Sequence, residues 1–334
     1  MDDPLRHHGD AEARDAELDF AVNVYDGPRP SWLDDALHAS IDAAGAYPSA
    51  DRARAAAARH HGRPQDGVLV TAGAAEAFTL VARLRPWRRP VVVHPQFTEP
   101  HAALEQAGHR VTPVVLPAPY TLDAALVPDD ADLVVIGNPT NPTGVLHPAD
   151  EIRALLRPGR VVVVDEAFMD CVPGETESLA DVRLSGLVVI RSLTKHWGIP
   201  GIRAGYLVGD AMVVTGLALN QTPWSVGTTA AAAVEACTTP VAAAEARRRA
   251  EEIRDWREHL EKGLADIGMD FLPSAASFVL ARPGPGVHEE LRRQGIAVRR
   301  ADTFPGLDDS WVRIAVRAPE VTDRLFAALS SPHP

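Results

Sequence analysis

Residues 192–206 read Ser-Leu-Thr-Lys-His-Trp-Gly-Ile-Pro-Gly-Ile-Arg-Ala-Gly-Tyr and follow closely on a run of four apolar, mostly β-branched residues. Such a run predicts a buried strand. Lys195 should then lie just past a strand end, where burial lowers the pKa of its amine and makes it a nucleophile. The hydroxyls of Ser192 and Thr194 and the guanidinium of Arg203 could hold a phosphate beside it. An isolated S-x-x-K would favour a solvated surface lysine, but the turn and arginine that follow favour a lysine that binds pyridoxal phosphate as a Schiff base.

The totals predict a soluble globular protein with room for two domains. The chain has 334 residues, of which 46% are hydrophobic and 23% charged, and its net charge is −12. This acidic balance argues against a nucleic-acid surface, and no apolar run is long enough to predict a membrane helix. The first residues carry no apolar segment, so no secretory signal is expected. Two cysteines make no disulfide framework, and we expect a cytoplasmic protein without a metal site, because no H-x-x-x-H or C-x-x-C pattern occurs.

Strands and helices alternate from about residue 45 to residue 220, which predicts a mostly parallel, doubly wound α/β sheet. Within it, residues 68–71 form a strand that runs into a turn of small residues opening a helix. A helix start of this kind exposes backbone N–H groups and the positive end of the helix dipole. The sequence therefore predicts that the amides of Ala74 and Ala75 bind a phosphate.

Two further motifs follow predicted strands. Residues 138–144 read Asn-Pro-Thr-Asn-Pro-Thr-Gly, a rigid loop at a strand's carboxyl end, where open α/β sheets bind ligands. The Asn141 side chain could donate a hydrogen bond to the cofactor's phenolate oxygen. Asp165 comes directly after four valines, and a carboxylate there could keep the cofactor's ring nitrogen protonated, which makes the ring a stronger electron sink.

Together these motifs resemble the fold-type I pyridoxal-phosphate enzymes of the aminotransferase class I and II branch, over nearly the whole chain. The resemblance implies a large cofactor domain of residues 45–225. It also implies a smaller α/β domain built from an N-terminal arm and first helix (1–44) and from a connector helix and C-terminal part (226–334).

The same resemblance implies three features of the site. Phe97 stacks on the cofactor ring. Tyr47 reaches the cofactor phosphate of a partner subunit, so that a homodimer shares its active sites. Many aminotransferases carry a tyrosine where this chain has Phe168, so we expect Asn141 to act alone on the cofactor oxygen.

A narrower resemblance is to the threonine-phosphate decarboxylases of cobalamin biosynthesis. The residues that carry it are His8-Gly9, Pro223-Trp224-Ser225-Val226, Phe304-Pro305-Gly306-Leu307 and the run Arg-Ile-Ala-Val-Arg at 313–317. By this resemblance His8 and Asn23 contact the substrate phosphate, Arg313 pairs with the substrate carboxylate, Arg299 pairs with its phosphate, and Asn141 also lies at the substrate.

Some positions depart from that narrower pattern or stay open. Val24-Tyr25-Asp26 stands where the decarboxylases usually continue with Asn-Pro, and Gly227 replaces a common asparagine. Strand alternation places Arg313, Ala315 and Arg317 on one face. The roles of Arg300 and Arg317 remain open.

Three functions are therefore compared. The first is decarboxylation of L-threonine O-3-phosphate to (R)-1-amino-2-propanol O-2-phosphate in cobalamin synthesis. The alternative is an aminotransferase that acts on histidinol phosphate or on another phosphorylated or ordinary amino acid. The bond to Cα that stands perpendicular to the cofactor ring decides between them. A regulatory protein on this fold is disfavoured, because Lys195, Asp165 and Arg313 occur together and the arm is too short for a DNA-binding domain.

Overall fold

The structure is a computed structural model and describes residues 4–329. Its strands form two sheets, one of seven strands and one of five. The strands are β1 (Leu18–Phe20), β2 (Val68–Thr71), β3 (Pro90–His94), β4 (Thr112–Val115), β5 (Leu133–Gly137), β6 (Val161–Asp165), β7 (Leu187–Ser192), β8 (Gly205–Gly209), β9 (Asp270–Leu272), β10 (Phe278–Arg282), β11 (Ile296–Arg300) and β12 (Val312–Ala315).

Helices cover both faces of the larger sheet and one side of the smaller one. They are α1 (Gly9–Ala13), α2 (Ser31–Asp42), α3 (Asp51–His60), α4 (Gly73–Arg83), α5 (Glu99–Gln106), α6 (Ala149–Arg153), α7 (Ala211–Leu219), α8 (Thr228–Cys237), α9 (Pro240–Asp266), α10 (Val287–Arg293) and α11 (Pro319–Leu329). Within residues 4–329, no helix is long and apolar enough to cross a membrane.

The larger sheet has the order β2-β8-β7-β6-β5-β3-β4 and is parallel except at β8, which runs against both of its neighbours. The all-valine start of β6 is buried on both sides, because Val162 and Val164 belong to one core and Val161 and Val163 to the other. Side chains alternate along a strand, so an uninterrupted apolar run is what a sheet covered on both faces requires. The predicted mostly parallel, doubly wound α/β fold is confirmed.

The smaller sheet has the order β1-β11-β12-β10-β9. Strand β1 comes from the amino-terminal part of the chain and pairs in parallel with β11, Leu18 lying opposite Ile296. The other pairs are antiparallel. Helices α9 and α11 close the core of this sheet with Leu260, Leu264 and Leu325. The sheet is therefore built from both ends of the chain.

Helices α2 and α8 lie on the larger sheet, although the sequence assigned both of them to the smaller domain. Leu33 and Leu37 of α2 share a core with Val162 and Val164, and α8 packs between them and the sheet through Ala233 and Val234. We therefore propose a larger domain of residues 31–239 and a smaller one of residues 4–30 and 240–329. These bounds differ from the predicted ones because α2 buries its apolar face against α8, a contact that the helix pattern alone does not reveal.

Candidate active site

Lys195 lies three residues beyond the end of β7, as the sequence predicted. Its Nζ donates to Oγ1 of Thr194 at 3.0 Å. Burial of the amine, helped by the positive charges of Arg203 and Arg313, lowers the pKa of Lys195 to about 8, against the opposing charge of Asp165. The amine is therefore partly neutral, and hence nucleophilic, near neutral pH.

Asp165 ends the neighbouring strand β6 and faces the same site. Burial raises the pKa of its carboxyl to about 6, although the N–H of Ala167, which donates to Oδ1 at 3.1 Å, and the charge of Lys195 both lower it. A raised pKa means that this carboxylate is short of positive partners. A cation placed against it, such as a protonated ring nitrogen, would restore its charged form.

The start of helix α4 and the lysine loop together form a cradle. Gly73 begins the helix with φ of +75°, and a Cβ built on it would lie 2.8 Å from Nη2 of Arg203. Arg203 is itself held by a hydrogen bond of 2.9 Å from Nη1 to the carbonyl of Pro200. The hydroxyls of Ser192 and Thr194 are 2.8 Å apart at the same place. Ala74, Ala75 and these groups surround a space with N–H, O–H and guanidinium donors, which suits a phosphate.

A cavity of about 500 Å³ opens over this cradle. It is continuous in its lining with a smaller pocket, because Ala75, Phe97, Asn141 and Lys195 line both. Phe168 also lines both and packs edge-on against Phe278, with ring centroids 5.0 Å apart. The structure thus brings the predicted cofactor residues on the larger sheet together around one space, with the exception of Tyr47.

Arg313 is a buried guanidinium at the opposite wall of the cavity. Its Nη1 donates to Oδ1 of Asn141 at 2.7 Å, and Nη2 donates to the carbonyl of Ala21. Asn23, with its amide oxygen facing the guanidinium, accepts from Nε and Nη1 at 3.1 Å each. All of these acceptors are neutral, and burial lowers the pKa of Arg313 well below its ordinary value. Among residues 4–329 no carboxylate oxygen lies within 4 Å of it, so the site is one that an anion would complete.

Arg299 is the second buried guanidinium that lines the cavity. Its Nη2 donates to the carbonyl of His7 at 2.6 Å and to Oγ1 of Thr303 at 2.7 Å. Burial lowers its pKa to about 10, although more distant carboxylates, Glu12 first, act in the other direction. It too has no carboxylate oxygen within 4 Å in the described part of the chain. Arg299 and Arg313 could therefore each bind an anionic group of a ligand in the cavity.

His8 lines the cavity, but its ring nitrogen is engaged with an acid. Nε2 lies 2.7 Å from Oε1 of Glu99, and the ring lies 5.5 Å from that of Phe97. Sequence reasoning missed Glu99, because a glutamate at the start of a helix has the ordinary explanation of complementing the helix dipole. Its position two residues after Phe97 was the available signal.

Tyr47 and two arginines lie apart from the cavity. The Tyr47 side chain is 79% exposed and stacks on Trp224, with ring centroids 4.6 Å apart. Its predicted role at the site of a partner subunit stays a prediction. Arg300 pairs with Asp302, and Arg317 donates to backbone carbonyls of residues 19–24. Arg317 lies beyond the end of β12, so the alternation of side chains along that strand does not place it on the same face as Arg313.

Residues 4–329 contain no group of three or more histidine, cysteine or acidic side chains arranged to hold a metal ion.

Comparison with known proteins gives a consistent result over almost the whole chain. The family model for aminotransferase class I and II matches residues 16–329. The histidinol-phosphate aminotransferase Rv2231c of Mycobacterium tuberculosis is 47% identical over 317 residues, which cover 93% of this chain and 87% of that protein. The threonine-phosphate decarboxylase of Salmonella typhimurium is 32% identical over 336 residues, covering 94% and 91%. The crystal structure of the histidinol-phosphate aminotransferase from Clostridium acetobutylicum superposes with a TM-score of 0.85 at 25% identity, covering 93% and 98%. The chain belongs to the aminotransferase class I and II family, and its cofactor is pyridoxal 5′-phosphate.

Proposed function

We propose that the chain is an aminotransferase that takes the amino group of a phosphorylated amine, histidinol phosphate, and passes it to a 2-oxo acid. The observation that carries this proposal is the pair of buried guanidinium groups, Arg299 and Arg313, which line the lysine's cavity and have no carboxylate oxygen within 4 Å among the residues that the structure describes. Anionic substrates would supply what these cations lack. The greater similarity to a histidinol-phosphate aminotransferase, 47% against 32% for a decarboxylase, supports this choice over our leading hypothesis from the sequence.

The residues present fit the cofactor. Gly73 leaves room where a side chain would meet Arg203, and the hydroxyls of Ser192 and Thr194 face the same space. The Asp165 carboxylate feels the charge of Lys195 but forms no ion pair within 4 Å among residues 4–329. When bound, pyridoxal 5′-phosphate supplies an aldehyde for an amine to attack and a ring that accepts electrons from the carbon bearing that amine.

The proposed work of each residue follows from its setting. Lys195, with an amine that is partly neutral at pH 7, would hold the cofactor and, once released from it, would take up and return the proton of the substrate carbon that bears the amino group. Asp165 would keep the cofactor's ring nitrogen protonated. The side-chain oxygen of Asn141 accepts a hydrogen bond from Arg313, which leaves the NH₂ group to donate to the cofactor's phenolate oxygen.

We assign the two arginines to the charged ends of the substrates. Arg313, next to Asn141, would bind the carboxylate of the amino or oxo acid through its planar fork. Arg299 would bind the phosphate.

Decarboxylation of L-threonine O-3-phosphate is the second candidate. It is supported by the similarity to the Salmonella enzyme and by the runs Pro223-Trp224-Ser225-Val226 and Phe304-Pro305-Gly306-Leu307. The same two arginines would then hold a carboxylate and a phosphate of one molecule. For a substrate that carries a carboxylate on Cα, the bond that lies perpendicular to the ring would decide between the two reactions.

The test is to give purified holoenzyme each substrate separately. Histidinol phosphate with 2-oxoglutarate should yield glutamate, whereas O-phosphothreonine should release no CO₂. The Lys195→Ala variant should form neither glutamate nor CO₂. Release of CO₂ without any formation of glutamate would replace this proposal with the decarboxylase.

We also propose that the enzyme works as a cytoplasmic homodimer. The exposed Tyr47–Trp224 pair, which one chain leaves uncovered, supports the dimer, and the buried, unpaired Cys171 and Cys237 suit a reducing compartment. Light scattering at low concentration should give twice the mass of one chain, and Tyr47→Ala should weaken cofactor binding.

A further inference from the structure

The cavity over Lys195 has charges of both signs at different places on its wall. Its basic side chains include Lys195, Arg203, Arg299 and Arg313. The carboxylates in its lining are Asp10 and Glu99. Asp10 is exposed, and its negative charge raises the pKa of Arg299, so it lies on the same side of the cavity as the arginines. Glu99, at the start of α5, is the carboxylate left to act on a substrate.

Glu99 is a carboxylate that stays ionised. The hydrogen bond from His8 lowers its pKa, burial acts in the opposite direction, and the nearby charge of Arg6 adds to the lowering. Only about one-fifth of the side chain is exposed. The first turn of a helix also favours a negative charge. This group therefore presents a fixed anion to the cavity.

An ionised glutamate is a poor neighbour for a phosphate, because like charges at close range repel each other. The phosphate of a substrate should therefore lie at the Arg299 and Arg313 side. What suits Glu99 is a group that donates an N–H or carries positive charge. The protein itself provides an example, since the imidazole of His8 lies 2.7 Å from Oε1 of this carboxylate.

We propose that Glu99 selects the substrate's ring: its carboxylate accepts the N–H of the imidazole of histidinol phosphate while the arginines hold the phosphate. The proposal rests on the proposed function and deepens it. It identifies the substrate class as a phosphorylated amine with a nitrogen-bearing ring. The methyl group of O-phosphothreonine would gain nothing from a carboxylate at this place.

The test compares Glu99→Gln with Glu105→Gln, which makes the same change on the same helix at a residue that pairs with His101 outside the cavity. Each holoenzyme is given histidinol phosphate, 2-amino-1-propanol phosphate (which lacks the ring) and glutamate, and the conversion of the cofactor is followed by absorbance. Glu99→Gln should lower kcat/KM for histidinol phosphate about tenfold or more, the loss expected for a hydrogen bond to a charged group. The two ring-free donors should change by less than about twofold, and Glu105→Gln should behave as the wild type.

Equal losses with all three donors, or no loss with histidinol phosphate, would overturn the role of Glu99 while leaving the proposed function intact. A wild-type enzyme that leaves histidinol phosphate unreacted would overturn the proposed function, and this inference with it. The ring-free phosphate donor separates the two cases, because it reports on the arginines without the ring.

Discussion

Arg249 of helix α9 donates from Nη1 to the backbone carbonyl of His196, the residue after Lys195, at 2.8 Å. The same guanidinium donates from Nη2 to the carbonyl of Pro28 at 2.8 Å and lies 4.2 Å from the centre of the Tyr25 ring. The N–H of Tyr25 in turn donates to the carbonyl of Lys195 at 3.0 Å. One fully buried side chain thus joins the helix that leads to the smaller sheet, the amino-terminal segment and the lysine loop.

Replacing Arg249 by Met should therefore destabilise the protein strongly. Each hydrogen bond to a charged group contributes about 1.5–3 kcal/mol, and the buried carbonyl of His196 and the partly buried carbonyl of Pro28 would both lose their partner. We expect a fall of at least about 3 kcal/mol in the free energy of unfolding, measured with denaturant on the holoenzyme. Arg248→Met is the matched control: its half-exposed ion pairs should be worth less than about 1 kcal/mol. Equal losses in both variants would contradict the role of Arg249.

Burial of the Asp165 carboxyl should lower the free energy of unfolding of the cofactor-free protein. The pKa of its carboxyl is about 6 in the folded chain and 3.8 in an ordinary setting. The folded state therefore binds more protons than the unfolded state between these values, so stability falls as the pH rises from about 4 to about 6 and is level above that. At pH 7 the cost is about 3 kcal/mol, from 1.36 kcal/mol for each unit of pKa difference.

Asp165→Asn should remove that cost. The cofactor-free variant should be more stable than the cofactor-free wild type at pH 7, with a smaller difference at pH 5, while its transamination rate falls steeply. Denaturant unfolding at the two pH values measures the effect. A variant less stable than the wild type at pH 7 would show that the attraction between Asp165 and Lys195 outweighs the cost of burying the carboxylate.

The chain has only two lysines, Lys195 and Lys262, which makes a clean test of the nucleophile. Lys195→Ala should lose the visible absorbance of the lysine-bound cofactor, and Lys262→Ala should keep it. In the wild type, cofactor capture should accelerate about tenfold per pH unit below the lysine's pKa and level off above pH of about 8, because the neutral amine is the nucleophile. A rate that still rises at pH 10 would indicate an unshifted lysine.

Arg313→Ala should weaken the substrate far more than the cofactor. Loss of one charged hydrogen-bonding pair costs about 1.5–3 kcal/mol, so we expect KM for the amino or oxo acid to rise about tenfold or more. The dissociation constant of the cofactor, titrated by absorbance, should change little. An unchanged KM would remove Arg313 from the substrate site.

Gly73→Ala should weaken cofactor binding. The added methyl group would meet Nη2 of Arg203 at 2.8 Å, at a backbone φ of +75° that suits glycine. We expect the dissociation constant of pyridoxal phosphate to rise several-fold as Arg203 shifts. Gly45→Ala, at a position open to solvent, is the control and should bind the cofactor normally. Tight binding by Gly73→Ala would mean that Arg203 does not define the cradle.

The parts of the site that follow strand ends could be predicted from the sequence. Asp165 is the last residue of β6 and Lys195 follows the adjacent parallel strand β7, and the carboxyl ends of such strands meet at one edge of the sheet. The contact between His8 and Glu99 could not be predicted, because it joins residues 91 positions apart and depends on how the arm lies across α5. The placement of α2 on the larger sheet was missed for the same reason, since its partner α8 is nearly 200 residues away.

The pairing of β1 with β11 also affects the order in which the chain folds during its synthesis. Leu18 is made before every strand of the larger sheet, yet its partner Ile296 is made after all of them. The first strand therefore has no partner while the larger sheet is being synthesised, and closing so long a loop favours a late step in folding. Because Ala21 and Asn23 follow β1 directly, a nascent chain cannot complete the wall that faces Arg313 until β11 and β12 have been made.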